Sequence, residues 1–129
     1  MTVRYMPEVE GLSLFGDYSP VAVTDGVVAV AGAVRHRRNV PPEEQVRGAF
    51  ANVGKALAAA GLGFSDVIKF TTYLVGRETI PPFMSERKKV FAEIYPEGVY
   101  PPNTLLIVAG LVHEEFVVEI EAIARSKDA

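Results

Sequence analysis

The sequence has no cysteine and only two histidines, His36 and His113. A chain without cysteine has no disulfide bond, no thiolate nucleophile and no cysteine-ligated metal. Two histidines do not make a His-rich metal site, although carboxylates could help them. We therefore expect no metal site. His113 lies in an acidic turn beside Glu114 and Glu115, and we expect it to be solvated.

Long apolar segments and a strong charge of one sign are also missing. No run of 18 apolar residues is present, which excludes a membrane-spanning helix. The first seven residues lack the apolar segment of a signal peptide. A net charge of -3 gives no overall attraction to nucleic acid or to anionic membranes. The sequence therefore predicts a cytoplasmic protein with neither a membrane nor a nucleic acid as partner.

The 129 residues, of which 49% are apolar, predict one domain over residues 1–129 with a hydrophobic core. Asp25-Gly26 between two β-branched runs predicts a β-hairpin over residues 21–31. Pro41-Pro42 before two acids and Gly61 at the far end bound a predicted helix. The other predicted elements are a strand over 66–75, a helix over 80–95 and strands over 104–109 and 116–124. This β-β-α-β-α-β-β order favours an α+β fold with two helices on one face of a sheet.

The last predicted strand places two acids on a partly apolar face. Alternation puts Glu119 and Glu121 on the same side as Val117 and Ile123, opposite the wholly apolar side. A core rarely holds two acids and a solvated face is rarely so apolar. A subunit interface or a ligand cleft would accommodate both, while a solvated edge strand with two acids remains the alternative.

The predicted strand over 104–109 is apolar on both faces. Two helices cover only one side of a sheet, so the second apolar face needs another cover. We expect that cover to be another copy of the chain, because an exposed apolar sheet face promotes aggregation.

Short motifs from Gly16 to Ala124 match those of one known family. They are Gly16-Asp17-Tyr18-Ser19, Ala31-Gly32, Gln45-Val46-Arg47, Asn52-Val53, Ala58 to Gly61, Asp66 to Leu74, Val90 to Glu93 and Val118 to Ala124. With them the sequence resembles the reactive-intermediate deaminase family, also called Rid or YjgF-like. The resemblance implies a chorismate-mutase-like fold and a homotrimer with a small-molecule cleft at each subunit interface. It also implies hydrolysis of 2-imino acids or their enamines to 2-oxo acids and ammonia, without a metal or cofactor.

The resemblance assigns site residues one by one. It implies Glu119 as the catalytic residue, with Tyr18 and Gly32 binding the substrate. Lys88 stands roughly where the family has an asparagine on its second helix, and Leu105 where it has a cysteine or another small residue.

Asn103 departs from the family, because it stands where the resemblance implies a carboxylate-binding arginine. Asparagine has no charge and cannot form the bidentate pair that arginine forms with a carboxylate. We therefore predict a hydrolase or deaminase acting on an imine, an enamine or a related small polar metabolite, other than a standard 2-imino acid deaminase. The alternative is a non-catalytic trimer that binds a small metabolite or a partner protein. A ribonuclease is a weaker option, because the chain lacks the usual histidine pair.

The basic loop from Arg35 to Arg38 has two interpretations. It is either a solvated loop or the source of the cation that Asn103 does not supply. On the second interpretation Arg35 and Arg37 bind the substrate anion.

Overall fold

The computed structural model describes residues 2–35 and 39–127, which form a six-stranded sheet and two helices. The strands are β1 (Arg4–Met6), β2 (Val21–Val23), β3 (Val27–Ala33), β4 (Val67–Val75), β5 (Asn103–Val108) and β6 (Val118–Arg125). The helices are α1 (Pro42–Ala59) and α2 (Ile80–Ile94). A short 3₁₀ turn at Phe64–Asp66 precedes β4, and another at Arg77–Thr79 precedes α2. The strand order is β1-β2-β3-β6-β4-β5, and only β4 and β5 run parallel.

The predicted α+β class is confirmed, and the structure adds one strand that the sequence did not indicate. β1 has three residues and pairs antiparallel with β2. Such a short segment contains no periodicity that a pattern could reveal. The last strand begins at Val118 rather than Phe116, because the backbone N–H of Val117 donates to the Gln45 side chain, 2.8 Å away, instead of to a strand.

Both helices cover one face of the sheet. The buried side of β6 consists of Val118, Ile120, Ala122 and Ala124, as alternation predicted. Aromatic rings fill the space between sheet and helices: the ring centroid of Phe50 on α1 lies 5.5 Å from that of Phe70 on β4. This core fixes which face of β6 carries Glu119.

The opposite face of the sheet, which we call the open face, carries exposed apolar side chains. Leu106 on β5 is 42% exposed and Ile123 on β6 is 44% exposed. The strand register aligns Leu106 with Tyr73 on β4, and Tyr73 with Glu119 on β6. The acids of β6 therefore lie in the middle of an apolar surface that the chain itself does not cover.

No helix within residues 2–35 and 39–127 is long and apolar enough to cross a membrane.

Candidate functional site

A first cavity of about 290 Å³ lies where β3 meets the N-terminal segment and α1. Its lining includes Tyr18, Gly32, Asn52 and Glu119, and most of its other residues are apolar. The pairing of β3 with β6 shifts register between Val30 and Ala33, so Gly32 lies in an irregular part of the ladder. Bulges of this kind redirect side chains beside binding sites.

Gly32 leaves room for the carboxyl group of Glu119. A Cβ atom built on Gly32 would lie 2.7 Å from Glu119 Cδ, closer than real Cβ atoms approach another heavy atom. Any larger residue at this position would therefore displace Glu119. The glycine therefore allows the carboxyl group of Glu119 to lie against the backbone of β3.

Glu119 is half-buried, and its carboxyl group has no hydrogen-bond or ion-pair partner within residues 2–35 and 39–127. Burial raises the pKa of Glu119, and the negative charge of Glu121 raises it further. The side chain faces the first cavity. It is thus placed to hold or give up a proton at a higher pH than an ordinary glutamate.

Glu121 has different surroundings, although it lies two residues away on the same face. The Tyr73 hydroxyl donates a hydrogen bond to Glu121 Oε1 across the β4–β6 pair. This bond, together with burial, raises the pKa of Tyr73 to about 12. Glu121 is therefore engaged within the sheet, whereas Glu119 is directed into the cavity.

Two buried amides on α1 hold neighbouring backbone segments, and one of them, Asn52, lines the first cavity. The side-chain N–H₂ of Asn52 donates to the carbonyl of Val34, 2.6 Å away, and fixes the segment that follows β3. Gln45 donates to the carbonyl of Glu115 at 2.9 Å and accepts from the N–H of Val117 at 2.8 Å. The sequence analysis assigned no role to either residue. Gln45 and Asn52 are polar residues seven positions apart on the apolar face of a predicted helix, and this pattern could have identified them as buried hydrogen-bonding groups.

A second cavity of about 490 Å³ lies between α2 and the segment that leads into β5. The nitrogen-bearing side chains in its lining are those of Arg87, Lys88 and Asn103. The Thr72 hydroxyl donates to Asn103 Oδ1 at 2.9 Å, so the amide N–H₂ of Asn103 remains for another acceptor. Arg87 was not predicted as a site residue. Its signal would have been a cation next to Lys88, in a helix already assigned to the site.

The structure thus divides the predicted site residues between two cavities. Tyr18, Gly32 and Glu119 line the first, and Lys88 and Asn103 line the second. Leu105 lines neither, because it packs against the hydrophobic core.

Arg35 lies along α1, outside the lining of either cavity. Its side chain fills the space above Gly48, where an added Cβ would lie 2.6 Å from Arg35 Cβ. Its guanidinium is 3.7 Å from the carboxylate of Glu44. Arg37, like His36 and Arg38, lies outside the described residues.

The expectation that His113 is solvated is wrong. Its ring is half-buried, with its centroid 5.3 Å from that of Phe15 and 5.6 Å from that of Phe116. Phe116, which follows the acidic turn, and Phe15 of the N-terminal segment provide this packing. Over the described part of the chain, no three His, Asp or Glu side chains cluster closely enough to hold a metal ion.

Comparison with known proteins shows a match along most of the chain. A family model described as Endoribonuclease L-PSP matches residues 10–126. The RutC family protein YjgH of Escherichia coli is 34% identical over 112 residues, which are 84% of this chain and 82% of that protein.

Solved structures share the fold. The crystal structure of Escherichia coli TdcF with bound serine superposes with a TM-score of 0.79 at 25% identity, covering 88% of this chain and 91% of that one. The crystal structure of the Escherichia coli YjgF gene product superposes with a TM-score of 0.78 at 22% identity, covering 87% of this chain and 90% of that one.

Proposed function

The chain belongs to the Endoribonuclease L-PSP family, the YjgF-like family that its sequence resembles, and on that premise we propose that it hydrolyses an imine, an enamine or a related small polar metabolite. The observation that carries the proposal is Glu119: a half-buried carboxyl group with a raised pKa, without a partner among the described residues, facing a cavity of ligand size.

The chemistry needs few groups. Water adds to the imine carbon, the nitrogen takes up a proton, and ammonia leaves as the carbinolamine collapses to a carbonyl. Glu119 in its protonated form donates to the nitrogen, and as a carboxylate it accepts the proton released from the added water. A raised pKa supports both steps, because the two protonation states then interconvert nearer to neutral pH.

We propose that the protein is a homotrimer and that its clefts lie between subunits. The apolar open face supports assembly, because a second copy would cover Leu106 and Ile123. Each cleft would then join the first cavity of one subunit to the second cavity of its neighbour. That pairing is chemically complementary, because the first cavity supplies the proton-transfer group and the second supplies positive charge.

Glu119→Gln tests the catalytic part of the proposal, since it keeps the shape and removes the titrating group. Imines with and without a carboxylate are generated in solution by an amino-acid oxidase and an amine oxidase from a panel of amino acids and amines, and ammonia release is measured with and without the protein. On the best imine of the panel, we expect the variant to lose at least about 100-fold in rate.

The matched control is Glu43→Gln, which makes the same change at an exposed position of α1. It should keep full activity, and light scattering should give the same mass for both variants. Full activity of Glu119→Gln would contradict the catalytic assignment.

A non-catalytic trimer that binds a small metabolite is the second candidate, and the neutral Asn103 favours it. An amide can recognise a neutral polar ligand but does not hold a carboxylate as a bidentate cation would. Ligand binding with no acceleration of ammonia release from any imine of the panel would support this candidate.

A further inference from the structure

Arg87 on α2 is a half-buried cation without a counter-ion. Within residues 2–35 and 39–127 no carboxylate forms a salt bridge with it. Its Nη2 lies 3.0 Å from Met84 Sδ, and its guanidinium carbon lies 5.0 Å from the ring centroid of Phe83 and 5.8 Å from that of Phe91. A thioether is a weak acceptor and rings accept only at their faces, so most of the five guanidinium N–H donors stay available.

Arg47, on the other helix of the pair, has a guanidinium whose charge is compensated by two carboxylates. Arg47 on α1 lies 2.9 Å from both Glu86 and Glu93, and these hydrogen bonds raise its pKa. Burial lowers the pKa of Arg87, because no anion compensates for the water it has lost. Glu86, next to Arg87 in sequence, is engaged with Arg47 and Lys89 instead.

Every polar group that lines the second cavity offers donors. Besides Arg87, the ammonium of Lys88 and the amide N–H₂ of Asn103 can donate, because Asn103 Oδ1 already accepts from Thr72. None of the described lining residues is acidic. The remaining lining is Met84, Phe91 and Pro101, which are apolar, and Tyr100, an aromatic ring whose hydroxyl can also donate. A ligand that satisfies this surface has an anionic group at one end and a sizeable apolar group at the other.

We propose that Arg87 is the anion anchor of the cleft, and that the cleft takes a carboxylate bearing an aromatic or large aliphatic side chain. The inference rests on the proposed function for the identity of the site but concerns recognition rather than proton transfer. Asn103 fits the assignment, because a neutral residue at the start of β5 leaves α2 to supply the charge. A cavity of about 490 Å³ can hold such an acid.

Direct binding tests the inference without any turnover. Phenylpyruvate, pyruvate and inorganic phosphate are titrated into the protein in a calorimeter. We expect phenylpyruvate to bind at least about tenfold more tightly than either of the other two, since only it can fill the apolar part.

Arg87→Met keeps the aliphatic stem over Phe83 and Phe91 and removes the charge. We expect it to weaken phenylpyruvate binding by about tenfold to 30-fold. Adding Asn103→Arg to this variant should recover part of the loss, because the new guanidinium enters the same cavity. Arg77→Gln, an exposed cation just before α2 that lines neither cavity, is the matched control and should bind like the unmodified chain.

The outcomes separate this inference from the proposed function. Arg87-dependent phenylpyruvate binding without accelerated ammonia release from any imine of the panel supports the anchor and contradicts the hydrolase. If Arg87→Met hydrolyses imines at the unmodified rate, the role of Arg87 as anion anchor is overturned and the proposed hydrolase function is retained. The inference is also overturned if pyruvate or phosphate binds as tightly as phenylpyruvate, or if the Arg87→Met and Arg77→Gln variants bind phenylpyruvate equally.

Discussion

Glu119 and Glu121 show how two identical residues on one face of β6 acquire different chemistry. Alternation along the strand predicted that both share a partly apolar face, and the structure agrees. It did not predict which acid has a partner, because the partner of Glu121 is Tyr73, 48 residues earlier in the chain. The pairing follows from the register between β4 and β6, which no local pattern specifies.

The raised pKa of Glu119 predicts a pH dependence of stability. A carboxyl group with a higher pKa in the folded state binds its proton more tightly there than in the unfolded chain. The stabilisation that this proton gives the folded state is therefore complete at a pH below the pKa of Glu119 in the unfolded chain. It is lost as the pH rises through the pKa of Glu119 in the folded state. Glu119→Gln should abolish this pH-dependent contribution to the free energy of unfolding.

Denaturant unfolding of the chain with Glu119 and of the Glu119→Gln variant, over a pH series at one protein concentration, measures the effect. We expect the free energy of unfolding of the unmodified chain to fall relative to the variant as the pH rises. A difference that stays constant would show that the pKa of Glu119 is ordinary, and a difference that changes in the opposite direction would show that it is lowered.

At the scale of elements, local signals predicted most of the chain well. The Asp25-Gly26 hairpin, both helices and the long strand β4 match the predicted ranges to within one or two residues at most ends. Each depends on neighbours in sequence: a turn dipeptide, a proline-rich first turn or an apolar stripe. The position of β6 between β3 and β4 was not predicted, because those pairings join residues far apart in the chain.

The Gln45 side chain joins α1 to the start of β6, and its loss should be costly. It is 3% exposed, and Gln45→Leu would remove the hydrogen bonds that its amide makes with the Val117 N–H and the Glu115 carbonyl. We expect a loss of about 1–3 kcal/mol in the free energy of unfolding. Chemical denaturation at fixed protein concentration measures it, with the exposed Glu43→Leu as control. A loss as small as that of the control would mean that water replaces the amide.

At the scale of the whole molecule, the open face leads to a prediction about assembly. We expect light scattering to give about 42 kDa, three times the 14.0 kDa of one chain. Leu106→Asp would place a charge in the proposed interface, where it has no partner, and should shift the mass toward that of the monomer. Val99→Asp changes a residue that is 77% exposed and lies outside the sheet, so it should leave the mass unchanged.

A monomeric mass for the unmodified chain at micromolar concentration would contradict this prediction. Equal effects of Leu106→Asp and Val99→Asp would show that the open face is not the contact surface.

The sequence identified five of the residues that line the two cavities but not their division into two groups. Tyr18, Gly32 and Glu119 were named together with Lys88 and Asn103 as one site. Their separation follows from the sheet order, since the first group lies around β3 and β6 and the second around α2 and the edge strand β5. Arg87 was missed although it adjoins Lys88, because a charged helix residue is usually solvated and its packing against Phe83 and Phe91 is seen only in the structure.

The division between the two cavities also bears on how such a protein can change over evolutionary time. The lining around Met84, Arg87 and Tyr100 can mutate without altering the elements that hold Glu119 against Gly32. Under selection for a new nutrient or a new toxic by-product, descendants could exchange ligand preference while inheriting the same proton-transfer apparatus. Substitution around Glu119 is more restricted, because replacement of Gly32 by any other residue displaces the Glu119 carboxyl group. A gene duplicate is therefore expected to diverge first on α2 and β5 and last at the contact between β3 and β6.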